Sequence, residues 1–283
     1  MSRRARLEGR LAALRKRAEA APGAPLVGEL IRNERDRGGG LIAGGVAFRI
    51  FLWLVPFGLV AAVVLSFWNA ADPDGLESAA RSLGVGAAAA QAASEALELG
   101  DRSTLLVLVF GLVFLAWFTL GAVRALGLAY ALAWRLEPPR IRRPHHAFAA
   151  FNGLFLLGIL ASLGETWLEA AIGRAALLGA ILSFAVTLGI ALWAMWLLPH
   201  RATQARELLP GALLVTIGHQ LVQIAVIFYF APRLGRSEET YGAFGTSATM
   251  LIWLYVLSRL ITGGAFLNAT LWMRRQPLST ESR

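Results

Sequence analysis

The 283-residue chain has no cysteine and, among its 27 basic residues, a single lysine, Lys16. Without cysteine there are no disulfides and no thiolate metal sites, although this alone assigns no compartment. Charge is scarce too: charged residues make up 16% and hydrophobic residues 57%, against about 25% and about 45–50% in soluble domains. A soluble globular protein is therefore a poor fit. The first 40 residues hold no apolar run of the signal-peptide kind, so the first apolar segment is expected to be the insertion signal itself. Arginine in place of lysine, with abundant alanine and glycine, reads as the composition of a GC-rich bacterial genome.

What the sequence does have is apolar residues in long blocks, and a membrane crossing needs about 20 of them. Six blocks run from Leu41 to Trp68, Thr104 to Trp134, Ala147 to Leu168, Ala175 to Leu198, Leu208 to Phe230 and Ala243 to Met273. The cations between them alternate. Ten precede Leu41, four lie in Arg135 to Arg143, two are Arg201 and Arg206, and three are Arg274, Arg275 and Arg283. The other connections hold only Arg81, Arg102, Arg174, Arg233 and Arg236. This positive-inside bias predicts two cytoplasmic termini and an even number of spans. The net charge of +9 is then explained by topology and by attraction to anionic headgroups, and a nucleic-acid partner gains nothing from it.

The expected fold class is all-α: a polytopic integral membrane protein with six transmembrane helices and short amphipathic helices at the N-terminus and in the first outer loop. Residues 1–40 form a cytoplasmic amphipathic region, 41–273 the membrane domain and 274–283 a cytoplasmic tail. Leu7, Leu11 and Leu14 recur at helical spacing against a basic face, as in a helix lying on an anionic surface or a merely solvated one. A second helix is expected after Pro25, ended by Gly38 to Gly40. The outer segment Asn69 to Ser103 carries the turn signal "DPDG" and then helix-favouring sequence. His145 and His146 adjoin in sequence and are expected to point apart, which argues against a metal site.

Small residues mark candidate helix contacts in lipid. "LIAGG", Leu41 to Gly45, and "LITGG", Leu260 to Gly264, are near copies in the first and last spans. Gly44 and Gly45 are thus expected to let one helix approach Gly263 and Gly264 of the other.

Three stretches resemble the YihY/virulence factor BrkB family of bacterial inner-membrane proteins. They are "AGGVAFRIFLWLVP" (Ala43 to Pro56), "LLPGAL" (Leu208 to Leu213, after the connection Pro199 to Glu207) and "YGAFGTSATMLIWLYVLSRLITGGAFLNA" (Tyr241 to Ala269). The chain departs from the family pattern at Arg49 and Trp53, where an aromatic and a serine are more usual, and at Phe266, near a frequent glutamate. The resemblance implies a six-helix membrane fold, with some members similar to transporters of anionic lipids. An old family name as a tRNA-processing ribonuclease is not carried over, because the clustered carboxylates and metal ligands of such an enzyme are missing from the pattern.

Charged residues inside spans are expensive and suggest function. Arg124 is expected to snorkel at the cytoplasmic interface. Arg49 and Arg259 each lie four to five residues inward from a glycine pair, so they would share one level if the pairs met. Two like charges at one level call for an anion between them; the alternative is that each bonds helix carbonyls or water. Tyr255 and Thr262 neighbour Arg259 at helical spacing, and Thr216, His219, Gln220 and Gln223 form a polar stripe on span five that lines a cavity or bonds neighbouring helices. Ser162, Glu165 and Glu169 make a shorter stripe at the outer end of span three, and Pro56 should kink span one. No catalytic residues, metal or cofactor are expected, and the partners are anionic membrane lipids. The leading expectation is a transporter or flippase of an anionic amphiphile using a cavity between spans one, five and six. The alternative is a non-transporting envelope scaffold or regulator.

Overall fold

The structure is a computed structural model and describes residues 24–68, 101–172, 176–225 and 231–275. All regular elements among these residues are helical: α1 (Ala24–Asp36), α2 (Gly39–Trp68), α3 (Asp101–Trp134), α4 (Pro144–Ile172), α5 (Ala176–Leu197), a short 3-10 turn (Ala205–Glu207), α6 (Leu209–Ala225) and α7 (Ala231–Arg275). The expected helix around Leu7 to Leu14, the outer helices within 69–100 and the end of span five at 226–230 lie outside the described residues.

Length and apolarity suffice for a crossing in Gly39–Ala61, Leu105–Trp134 and Ser247–Arg275, and Pro144–Leu160, Ile181–Leu197 and Leu209–Ile224 are shorter apolar helices. This is a membrane protein's pattern. On α3 Phe110, Val113 and Trp117 stay exposed, Trp117 at 74%, a face that water would penalise and lipid would not. The last apolar block, Ala243 to Met273, lies within α7, whose helix begins earlier, at Ala231, with Pro232 in the first turn, where its missing N–H costs little.

Consecutive long helices pack as neighbours, and α7 returns against α2, closing a circuit that α7 also crosses to reach α3. Short connections favour such antiparallel neighbours. Helix α1 lies on α7 and α2. It stops at Gly38, which takes the left-handed φ of 66° that a C-cap needs, and α2 begins at the next residue.

Two apolar cores result among the described residues. One joins Tyr130 and Trp134 of α3 to Met195 of α5, Leu208 and Ala212 at the head of α6, and Phe266 and Ala269 of α7, with Leu30 of α1 against it. The other surrounds Trp53, fully buried, with Phe57, Leu115, Phe151 and Phe155. The Trp53 ring centroid lies 4.7 Å from Phe57 in a stacked pair and 4.6 Å from Phe155 edge-on, geometries that add to area burial. Trp53 at a position of departure from the family pattern is therefore a core residue. α2 runs on as a helix through Pro56, whose missing N–H leaves the Leu52 carbonyl without its helical donor.

Helix α3 ends on a non-glycine. Arg135 takes φ of 54°, and the N–H of Leu136 reaches the carbonyl of Ala131 at 2.8 Å, the wide bond of a Schellman-type end. The Arg37 guanidinium donates to the carbonyls of Leu132 at 2.8 Å and Ala133 at 3.3 Å, placing a cation at the negative end of that helix. Burial and the charge of Arg135 pull the Arg37 pKa below its ordinary value, and Asp36 partly offsets them.

Candidate functional site

The glycine pairs of the first and last spans do not meet. A Cβ on Gly44 would come within 3.9 Å of Tyr255, and one on Gly40 within 3.7 Å of the Arg259 guanidinium and 3.9 Å of the Tyr255 hydroxyl. Gly44 thus faces Tyr255, nine positions before Gly264. That register moves Arg49 and Arg259 apart by about 13 Å along the helices. The expected shared level is corrected: Arg259 lies beside the first turn of α2, and Arg49 lies deeper. The physical reason is that Tyr255 and Arg259 fill the space above Gly40 and Gly44, where two glycine faces would have left a void. Gly45 has no neighbour within 4 Å and is exposed.

Gly263 and Gly264 turn to α6 instead. A Cβ on Gly264 would lie 2.9 Å from the Gly211 carbonyl, and one on Gly211 would lie 2.4 Å from both the Gly264 carbonyl and Asn268 Nδ2. The two backbones touch. Asn268, buried, accepts the Gly211 N–H at 2.6 Å and donates to the Leu208 carbonyl at 3.0 Å. It satisfies one of the orphan donors of the first turn of α6. The stretches "LLPGAL" and "GGAFLNA" are therefore two halves of one contact.

Arg259 has a protein partner. Its guanidinium donates to the Glu34 carboxylate of α1 in a salt bridge whose two side chains are 37% and 17% exposed. A Cβ on Gly39 would come within 2.4 Å of Glu34 Cγ, so the run Gly38 to Gly40, read as a helix stop, also makes the floor under this ion pair. Arg274 Nε donates to Glu29 at 2.7 Å, and Asn33 reaches the Thr270 hydroxyl at 3.4 Å. Three side chains of α1 thus clasp α7, and Arg37 clasps α3. Glu29, Glu34 and Asn33 escaped the sequence reading because they lie in a charged stretch outside the apolar blocks. The acids Glu29, Glu34 and Asp36, interleaved with Arg32, Arg35 and Arg37, were the available signal.

The span-five stripe is divided. Thr216 is buried and donates to the Ala212 carbonyl at 2.9 Å, while Gln220 reaches the Ser183 hydroxyl at 3.4 Å. His219 is half-buried and Gln223 exposed. Thr262 is buried and donates to the Ser258 carbonyl at 2.8 Å. Gly218 lies against Leu260, whose Cδ2 would be 2.5 Å from a Cβ there. Close packing and local hydrogen bonds therefore occupy the α6–α7 face where a cavity was one expectation. His145 and His146 do not point apart: their ring centroids are 4.3 Å from each other, as adjacent side chains at a helix start allow. Among the described residues no three His, Asp or Glu side chains gather as a metal site. The side chains of Ser162, Glu165 and Glu169 lie outside the described residues.

Arg49 and Arg124 stand apart from the clasp. Both are exposed, and among the described residues no carboxylate pairs with either. The Arg49 guanidinium crosses α3 over Gly121, where a Cβ would be 3.2 Å from it.

A family model described as Virulence factor BrkB matches residues 30–283. The chain belongs to the Virulence factor BrkB family. Among its relatives, the UPF0761 membrane protein Mpe_A1422 of Methylibium petroleiphilum is 27% identical over 92% of this chain and 65% of its own. The UPF0761 membrane protein Nmul_A0452 of Nitrosospira multiformis is 26% identical over 83% and 58%. A ribonuclease-like protein of Bacillus subtilis, YfkH, is 32% identical over 28% of each chain. The chain therefore spans less than two thirds of the length of these curated relatives. No solved structure matches it. The BrkB match begins at Leu30, inside α1, so it takes in Asn33, Glu34 and Arg259 but not Glu29. This is a membrane protein of the BrkB family with apolar helices, akin to bacterial UPF0761 membrane proteins.

Proposed function

We propose that this BrkB-family protein is a non-catalytic scaffold or regulator of the bacterial envelope, crossing the inner membrane six times with both termini in the cytoplasm. The observation that carries the reading is the Glu34–Arg259 salt bridge. The arginine that would have held a substrate anion in a cavity between α2, α6 and α7 is neutralised by the protein's own α1. The Gly211–Gly264 crossing, where the backbones of α6 and α7 touch, supports the same reading. Such a clasp holds the cytoplasmic ends of three helices in one arrangement, which suits a fixed platform better than a rocking carrier. The alternating arginine bias supports the orientation. The ribonuclease-like name is YfkH's, and the site geometry gives no reason to extend it to this chain.

A second reading, transport or flipping of an anionic lipid, is favoured by Arg49, a cation in an apolar span without a carboxylate partner among the described residues. One assay separates the two. The protein is reconstituted into vesicles containing phosphatidylglycerol labelled on its headgroup, and dithionite is added outside. The scaffold reading expects the same protected fraction as in protein-free vesicles. Protein-dependent loss of protection, abolished by Arg49→Leu, would replace it with the transport reading.

A further inference from the structure

Helices α2 and α3 are antiparallel, with Arg49 over Gly121 and Val60 against Gly111. Between these two levels lies a groove of about 430 Å³ whose lining is wholly apolar, including Leu52, Val55, Pro56, Leu106, Phe110 and Phe114. Val55, Leu106, Phe110 and Phe114 are all more than half exposed, so the groove opens outward from the bundle. From Phe118 to Leu106 it extends twelve residues along α3, about 18 Å by helical rise. Half of a bilayer's hydrocarbon core is about 15 Å. Arg49 stands one turn before Leu52, and Arg124 one turn beyond Gly121, so both cations sit at the same end of the groove, the end nearer α1.

We propose that this groove is a binding site for one anionic glycerophospholipid of the leaflet that faces α1. An acyl chain lies along Leu52 to Leu106, and the phosphodiester accepts hydrogen bonds from Arg49 with Arg124 beside it. Charge complementarity selects the occupant. An apolar trough alone would take any lipid or a second copy of the chain. Two exposed guanidiniums at its mouth, free of carboxylates among the described residues, select a phosphate, which guanidinium binds in bidentate fashion. The depth of Arg49 follows: it sits just inside the headgroup level, with its stem along Gly121 and its charge at the phosphates. The site is membrane-facing and separate from the α1 clasp, and it stands whether the protein is a scaffold or a flippase.

The test is native mass spectrometry of the full chain released from nanodiscs of equal phosphatidylglycerol and phosphatidylcholine. The wild type is expected to retain phosphatidylglycerol over phosphatidylcholine. Arg49→Gln should lower that preference roughly tenfold, the loss of one charge-assisted pair, and Arg49→Lys should restore part of it. Val55→Trp, at an exposed position, fills the trough without entering the core and should lower retention of both lipids. Inorganic phosphate should not compete, because it has no chain to place in the groove. A thermal melt of each variant verifies folding. Unchanged preference in Arg49→Gln, unchanged retention in Val55→Trp, effective competition by phosphate, or a dimer that Val55→Trp dissociates would each overturn the proposal.

Discussion

Replacing Gly211 by alanine should be among the most damaging single-methyl changes in this protein. The added Cβ would lie 2.4 Å from the Gly264 carbonyl and 2.4 Å from Asn268 Nδ2, about an ångström inside ordinary contact, and the first of these is backbone on the neighbouring helix. Relief requires α6 and α7 to part. Overpacking of this kind costs about 1–3 kcal/mol. Separation also weakens the 2.6 Å bond from Gly211 N–H to Asn268, worth about 1 kcal/mol, while alanine returns at most about 1 kcal/mol of helix propensity. The net loss is roughly 1–3 kcal/mol. Gly45→Ala is the matched control, since nothing lies within 4 Å of its Cβ, and it should be neutral or stabilising by up to about 1 kcal/mol. The nine tryptophans allow both variants to be followed by intrinsic fluorescence during heating in nanodiscs. The expected result is a transition lowered by several degrees for Gly211→Ala and unchanged or raised for Gly45→Ala. Equal effects would refute the α6–α7 crossing, and the reverse order would restore the pairing of the first-span glycines.

Further outcomes test other contacts. Glu34→Gln or Arg259→Leu alone should loosen α1, raising hydrogen exchange in Ala24–Asp36, and the charge swap Glu34→Arg with Arg259→Glu should recover protection that the single changes lose; no recovery would remove the ion pair from the account. Trp53→Ala empties the centre of the second core and should cost about 3–5 kcal/mol in denaturant-induced unfolding. Arg135→Gly relieves a left-handed residue at the end of α3 and should raise stability by roughly 1 kcal/mol in a thermal scan, since the Leu136 bond is to backbone and remains.

Among the described residues, sequence alone determined where the long helices lie. Apolar runs of 20 or more residues must satisfy their backbone internally, so Leu41 to Trp68 and Thr104 to Trp134 reappear within α2 and α3 almost to the residue. Pro25 and Gly38 likewise marked the ends of α1, because their effects are local. The meeting of one helix with another was not legible. Two glycine pairs looked alike, but which faces they present depends on Tyr255, Arg259 and Asn268 arriving from elsewhere in the chain. The partner of Arg259 was hidden for the same reason: Glu34 is 225 positions away in sequence and becomes its neighbour only when α1 lies on α7. Helix formation is a property of a segment, whereas register is a property of two surfaces, and the tertiary structure decided it by filling the space above each glycine.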